Sequence, residues 1–125
     1  MTHSLVVDSS AWIEMFSQGP LAKPCEREQR RTKEILVPTL VLYEVYKKIC
    51  STLSEDRALS AVAVMSQHKI DDLTRDVALT AADLSLEHKL PMADSIVLAH
   101  ARLAGARLLT LDNDFAGIDE VVLLR

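Results

Sequence analysis

Short apolar runs alternate along this chain with longer segments of helical periodicity. Short runs rich in valine, leucine and isoleucine are typical of buried parallel strands, and they occur at 5–7, 35–37, 107–110 and 121–124. A fifth, less apolar strand is predicted at 69–73. Helical patterns cover about 11–16, 40–53, 55–67, a segment following Thr74, and 92–103. Strands that alternate with helices predict an α/β fold of three layers, with a central, mainly parallel sheet and helices on both faces.

Two segments are harder to interpret from their pattern. The stretch from Leu21 to Glu34 is dense in charge and poor in apolar positions, so it predicts at most a solvated helix. The helix predicted at 55–67 is amphipathic, and the side chains expected to face the core are Leu59, Val62, Ala63 and Met65.

Length and composition narrow the class of protein. A chain of 125 residues with 49% hydrophobic content is expected to form one domain, residues 1–125. The net charge of −4 argues against a protein that coats nucleic acid, although a bound cation or a local basic patch can invert the field at a site. Cys25 and Cys50 have no metal-binding or redox spacing, which indicates free thiols in a reducing compartment. With no apolar run near the ~20 residues of a membrane span, we expect a cytoplasmic protein.

Four acidic residues lie inside or at the edge of apolar runs: Asp8, Glu44, Asp94 and Asp112. A carboxylate is costly in such surroundings and is usually paired, protonated or bound to a metal. Asp8 and Asp112 follow predicted strands, and Glu44 and Asp94 lie near the starts of predicted helices. Binding sites of open parallel sheets form beyond the carboxyl ends of the strands, so we expect all four acids to meet at that edge.

Carboxylates without evident partners predict a site lined by oxygen atoms for one or two hard divalent cations, Mg²⁺ or Mn²⁺. Like charges held close together raise one another's pKa unless a cation neutralises them. Two such ions about 3.5–4 Å apart would suit the in-line displacement of phosphodiester hydrolysis.

Each acid also has a simpler interpretation. Asp8 could cap the helix that follows it, and Glu44 could be a solvated helix residue. Asp94 could be a first-turn acid stabilised by the helix dipole, which is compatible with metal binding. Asp112 and Asp114 could be ordinary turn residues.

The segments around these acids resemble the ordered acidic motifs of PIN-domain nucleases. They are Val7–Ser10, Pro38–Val45, Pro91–Ile96 and Thr110–Phe115, and chain length and motif order are most similar to VapC toxins of toxin–antitoxin pairs. By that resemblance, the catalytic metal-site acids fall on Asp8, Glu44, Asp94 and Asp112, with Asp114 as an auxiliary acid. Ser10 or Thr110 would hydrogen-bond within the site, the alternative being local capping of its own backbone.

The resemblance implies a Mg²⁺- or Mn²⁺-dependent endoribonuclease, acting on structured RNA such as tRNA. It also implies a homodimer and a VapB-like antitoxin that covers the active site. One alternative is a PIN-type nuclease of RNA maturation without an antitoxin, and another is a non-catalytic RNA-binding domain of the same fold. A receiver or phosphatase domain ranks lower, because Ser9 and Ser10 follow Asp8 where such a phosphatase needs a second aspartate.

The residues that flank the acids allow further expectations. Tyr43 and Tyr46 are expected to pack in a helix interface, with base stacking as the lesser alternative. Lys47 and Lys48 either approach RNA or lie on the surface. Asp71 and the other scattered acids are interpreted as surface or capping residues. The histidines share no spacing and are expected to be structural or exposed; they are His3, His68, His88 and His100.

Overall fold

Five strands and six helices follow one another along the part of the chain that the structure describes. A computed structural model describes residues 2–125, apart from the side chains of Thr2 and His3. Met1 and the His3 side chain, both included in the expectations above, lie outside the described residues. The strands are β1 Thr2–Val7, β2 Thr32–Pro38, β3 Lys69–Asp71, β4 Arg107–Thr110 and β5 Val121–Leu123. The helices are α1 Ser9–Phe16, α2 Ala22–Arg30, α3 Thr39–Thr52, α4 Glu55–Met65, α5 Arg75–His88 and α6 Met92–Ala104.

All five strands run parallel in one sheet of order β3-β2-β1-β4-β5, as the α/β pattern predicted. β1 is the central strand, and its Val6 is in register with Leu36 of β2 and Leu108 of β4. These three side chains are almost completely buried. Central strands of such a sheet are covered on both faces, which explains their continuous apolar runs.

The helices cover both faces of the sheet. The chain steps outward from β1 to β2 and β3, and then returns across the sheet to β4 and β5. Right-handed crossovers therefore place α1 to α4 on one face and α5 and α6 on the other. The packing agrees with this division, because α1 contacts α2 and α3, α3 contacts α4, and α5 packs on α6. Among residues 2–125, no helix combines the length and the apolar character that a membrane crossing requires.

Local signals account for several helix ends. The Thr74 side chain accepts a hydrogen bond of 3.2 Å from the Val77 amide, so the predicted cap of α5 is confirmed. Gly105 ends α6 with a φ of 62°, a left-handed conformation that glycine adopts without the strain a Cβ atom would add.

The prediction for the charged stretch before the second strand was incomplete. α2 forms there, but it buries Ala22 and Cys25, and β2 begins at Thr32 rather than at Ile35. The polar residues at the start of β2 become strand because they pair with β1, where Ser4 is in register with Glu34. Pairing with a central strand overrides a weak local preference.

The expected inward face of α4 was only partly right: Met65 is buried and Val62 is half-buried, as predicted. Leu59 and Ala63 are exposed, and the buried residues of α4 are Ala58, Ala61 and Met65. Ala58, Ala61 and Met65 lie on one face of the helix, and α4 packs against α3. Leu59 lies on the opposite, exposed side.

Candidate metal centre at the carboxyl edge of the sheet

Four elements bring the acidic residues to one edge of the sheet. Asp8 follows β1, and its amide donates a 2.9 Å hydrogen bond to the carbonyl oxygen of Leu109 in the neighbouring β4. Asp112 lies two residues beyond the end of β4. Glu44 lies in α3, which begins directly after β2, and Asp94 lies in the first turn of α6. Because the strands are parallel, their carboxyl ends and the helices that begin there share this edge.

Three of the acids are close enough to share a cation. One carboxylate oxygen from each of Asp94, Asp112 and Asp114 lies within 4.8 Å of the other two. Carboxylate oxygens are ligands that Mg²⁺ and Mn²⁺ prefer. Asp94 and Asp112 are partly buried and Asp114 is exposed, so the group opens to solvent on one side.

Asp8 is the most buried of the acids, with 4% of its surface exposed. Its Oδ2 atom accepts hydrogen bonds from Thr110 Oγ1 at 2.8 Å and from Ser10 Oγ at 3.0 Å. Burial raises the pKa of Asp8, and the two hydroxyl donors oppose that rise. Asp8 occupies the N-cap position of α1, but its side chain makes no capping hydrogen bond. Simple capping therefore does not explain this carboxylate.

The hydroxyl groups of Ser10 and Thr110, which donate to Asp8, also accept hydrogen bonds from backbone amides that directly follow β4. Ser10 Oγ accepts a 3.0 Å hydrogen bond from the Leu111 amide, and Thr110 Oγ1 accepts one of the same length from the Asp112 amide. The expected hydrogen bonding within the site is therefore present for both residues, while the alternative of local backbone capping is met only by Thr110, through the Asp112 amide. Together these contacts connect Asp8 to the segment that carries Asp112.

Glu44 is half-buried and lies within electrostatic range of Asp8. Burial and the charge of Asp8 raise the pKa of Glu44, while a hydrogen bond with Ser9 lowers it. Partial burial and the interaction with Asp8 do not fit a fully solvated helix residue, while the role of Glu44 as a metal ligand stays a prediction.

Asp94 experiences the field of the whole acidic group. Its pKa is raised to about 7, first by burial and then by the charges of Asp112, Asp8, Asp114 and Glu44. We call these five residues the acid cluster. A divalent cation would offset the repulsion within the cluster. The residues present therefore fit the Mg²⁺ or Mn²⁺ site that the sequence predicted.

The turn interpretation of Asp112 also holds. Asp112 Oδ1 accepts a 2.9 Å hydrogen bond from the Asp114 amide and caps a short 3₁₀ turn at Asn113–Phe115. Its Oδ2 atom is not used in that contact, so the turn and a place in the acid cluster are compatible.

Outside the acid cluster, the surroundings of Tyr43 and of Asp71 differ from those that the sequence predicted. Tyr43 is 58% exposed rather than packed in a helix interface. Asp71 is not a simple surface acid, because its Oδ2 atom lies 2.7 Å from Nδ1 of the completely buried His100. That contact joins α6 to the end of β3 and lies outside the acid cluster.

The parallel sheet and the acid cluster at its carboxyl edge define an α/β protein with a candidate divalent-cation site. The family model of the PIN domain matches residues 5–121, nearly the whole chain. The chain belongs to the PIN domain family. No protein with a curated description matches the sequence.

Solved structures with the same fold include proteins of toxin–antitoxin pairs. A chain of a toxin–antitoxin complex from Klebsiella pneumoniae is 28% identical, with a TM-score of 0.79 over 94% of this chain and 95% of that one. VapC20 of Mycobacterium tuberculosis, described as a toxin that cleaves the sarcin–ricin loop, is 18% identical, with a TM-score of 0.75 and coverage of 90% and 92%. A VapBC2 structure from Rickettsia felis, bound to a promoter DNA fragment, is 16% identical with a TM-score of 0.75 and 97% coverage of each chain. At these last two identities the likeness concerns the fold.

Proposed function

We propose that residues 1–125 act as one nuclease domain, a metal-dependent endoribonuclease that serves as the toxin of a toxin–antitoxin pair. The observation that carries this proposal is the acid cluster, in which carboxylate oxygens of Asp94, Asp112 and Asp114 lie within 4.8 Å of one another. Burial and the charges of the other four acids raise the pKa of Asp94 to about 7. Membership of the PIN family and the similarity to toxin chains support it.

The proposed metal ligands are Asp8, Glu44, Asp94 and Asp112, with Asp114 as an auxiliary ligand for one or two Mg²⁺ or Mn²⁺ ions. When bound, such ions would stabilise the charge that develops on the phosphate during hydrolysis. The protein's own contribution is placement: Thr110 and Ser10 orient Asp8 through hydrogen bonds to its Oδ2 atom. The chain needs no side-chain nucleophile in this scheme.

The direct test is cleavage of total cellular RNA by the purified protein. We expect cleavage with Mg²⁺ or Mn²⁺ and none with EDTA. Asp94→Asn should lower the rate by roughly 10²–10³-fold, because it removes one charged ligand at the centre of the cluster. The matched control is Asp83→Asn, at an exposed position of α5, which should cleave like the wild type. Equal activity of both variants would overturn the assignment of the site.

An antitoxin partner is supported by an apolar groove between α1, α3 and α4. The groove has a volume of 330 Å³, and its lining includes Ile13, Phe16, Leu53 and Val64. Lys48 and Arg57 also line it, so an amphipathic segment with acidic flanks would suit it. Lys48 lies one helical turn beyond Glu44, and a segment seated in the groove would therefore border the acid cluster.

A homodimer is supported by a second apolar surface, between α5 and α6. A depression of 490 Å³ there includes the small residues Ala78 and Ala82, and the neighbouring Leu86 and Met92 are 82% and 77% exposed. Protruding and recessed apolar groups on one surface can match their copies about a twofold axis.

Both cysteines are free, as expected for the cytoplasm in which we place the protein.

The alternative functions separate in simple experiments. An RNA-maturation nuclease would cleave RNA but have no inhibitory protein encoded beside its gene. A non-catalytic RNA-binding domain would bind RNA and leave it intact with every divalent cation. Sequencing of the cut ends after brief expression would identify the RNA target, for which tRNA is the expectation carried by the family resemblance.

A further inference from the structure

Tyr43 and Lys47 form an exposed pair on α3, the helix that also carries Glu44. Tyr43 is 58% exposed, and its hydroxyl oxygen lies 3.3 Å from the Lys47 amine. The same amine lies 5.4 Å from the centre of the Tyr43 ring. The pair therefore presents an aromatic ring and a positive charge together at the protein surface.

The helix geometry places this pair next to Glu44. Tyr43 precedes Glu44 by one residue and Lys47 follows it by three, so the pair spans about 6 Å along the helix axis. The inner face of α3 carries the buried Val41 and Val45. Tyr43 and Lys47 lie on the outer side, so both side chains are open to a ligand on the same helix that carries Glu44.

The contacts of Lys47 leave its charge available. Lys47 and Glu44 are three residues apart on a helix, a spacing at which opposite charges commonly pair. Among the described residues, however, Lys47 makes no salt bridge, and its amine contacts the neutral hydroxyl of Tyr43. The chain carries a net charge of −4, so a cation beside the acid cluster is a local exception to the overall field.

We propose that Tyr43 and Lys47 form a binding subsite for an unpaired nucleotide of the RNA substrate, directly beside the phosphate that is cleaved. The base stacks on the Tyr43 ring, and Lys47 contacts a neighbouring phosphate. This inference rests on the proposed nuclease function and adds to it the requirement for a single-stranded or unstacked segment. A base inside a duplex has no free face for the ring to cover.

The test measures binding of a short single-stranded RNA by fluorescence anisotropy. All proteins carry Asp94→Asn and are measured with Mg²⁺, so that binding is read without cleavage. Tyr43→Leu, which removes the flat ring but keeps an apolar helix-forming residue, should weaken binding roughly 5- to 150-fold, the range of one lost base stack. Tyr43→Phe should bind within about twofold of the parent, because the ring remains.

The contribution of Lys47 is tested through the salt dependence of the same binding. Lys47→Ala should weaken binding and reduce the slope of log affinity against log salt by about 0.7, the value for one phosphate contact on a single strand. The control is Lys33→Ala, which removes an exposed lysine near the amino end of β2 and should change neither quantity. A duplex of the same sequence should bind equally to the parent and to Tyr43→Leu.

Several results would overturn the inference. Unchanged binding by Tyr43→Leu would do so, as would equal losses for Lys33→Ala and Lys47→Ala. Loss of binding to an antitoxin with RNA binding intact would show that the pair is a protein-docking surface instead. If the wild type cleaves no RNA while single strands still bind through Tyr43, the nuclease proposal fails and the binding subsite stands.

Discussion

Thr110 donates a 2.8 Å hydrogen bond from its Oγ1 atom to Oδ2 of Asp8, a residue 102 positions earlier in the chain. Asp8 directly follows β1, Thr110 is the last residue of the neighbouring strand β4, and both are buried. The hydroxyl of Thr110 also accepts the amide of Asp112. One buried side chain therefore positions two members of the acid cluster.

Replacement of Thr110 by valine tests that relationship. Thr110→Val keeps the shape of the side chain but removes the donor to Asp8, which should raise the pKa of Asp8 further. We expect about 10- to 100-fold weaker Mg²⁺ binding by calorimetry, and a shift of metal binding to higher pH. Loss of the acceptor for the Asp112 amide should lower the free energy of unfolding by about 1–3 kcal/mol.

The control for this substitution is Ser51→Ala, which removes an exposed hydroxyl from α3. It should leave both metal affinity and stability unchanged. If Thr110→Val binds Mg²⁺ as tightly as the wild type and with the same pH profile, Thr110 has no positioning role.

The acid cluster should make the stability of the metal-free protein depend on pH. The pKa of Asp94 is raised from 3.8 to about 7, so the folded state holds a proton that the unfolded state has released between these values. The contribution of Asp94 to the free energy of unfolding is therefore fully present below pH 3.8, and it is lost as the pH rises to about 7. The raised pKa values of Asp8 and Glu44 act in the same direction.

Thermal unfolding in EDTA would measure this effect. A shift of about 3 pKa units would correspond to ~4 kcal/mol, and solvent screening of the partly exposed Asp94 reduces the expected change to about 1–2 kcal/mol. Asp94→Asn should remove most of that change, and Mg²⁺ should stabilise the wild type above pH 7. Asp94→Asn keeps all other titrating groups, so the difference in the free energy of unfolding between the wild type and this variant isolates Asp94. If that difference increased in favour of the wild type between pH 4 and pH 7 in EDTA, the electrostatic account would be contradicted.

The groove between α1, α3 and α4 leads to a prediction about inhibition. Val64→Glu places a charge on its apolar lining and should weaken antitoxin binding at least ~10-fold, while RNA cleavage continues. Leu103→Glu, at an exposed position of α6, is the control. Surface plasmon resonance with the proposed antitoxin partner would measure both. Inhibition of Val64→Glu at wild-type concentrations would place the antitoxin elsewhere.

The surface between α5 and α6 leads to a prediction about assembly. Leu86→Glu should convert a dimer to a monomer in light scattering, because the interface would then bury an unpaired charge. Leu103→Glu should remain dimeric. A Leu86→Glu protein that stays dimeric, or a wild type that is monomeric at high concentration, would rule out this interface.

Much of the fold could be predicted because its signals are local. β4 was predicted at its observed bounds, and the helices after Pro38 and Pro91 begin within one residue of their predicted starts. Apolar runs, prolines and capping residues act over a few positions, so a single sequence carries them. The meeting of the acids at one edge followed from the rule for parallel strands, while their role as metal ligands stays a prediction.

Other features depended on contacts between distant segments. Tyr43 is exposed although its helix is amphipathic, and α4 packs through its alanines rather than through Leu59. The contact between Asp71 and the buried His100 joins residues 29 positions apart, and neither residue stands out in the sequence. Such outcomes depend on which neighbour each surface meets, and periodicity does not specify that neighbour.

The amino-acid sequence by itself determined the order of strands and helices, and it placed acidic residues at the ends where those elements meet. Only the tertiary structure decided the distances within the acid cluster, the hydroxyl groups that hold Asp8, and the side chains left facing solvent beside Glu44. The physical reason is that chain propensities act between near neighbours, whereas hydrogen bonds, burial and electrostatic repulsion depend on groups that only folding brings together.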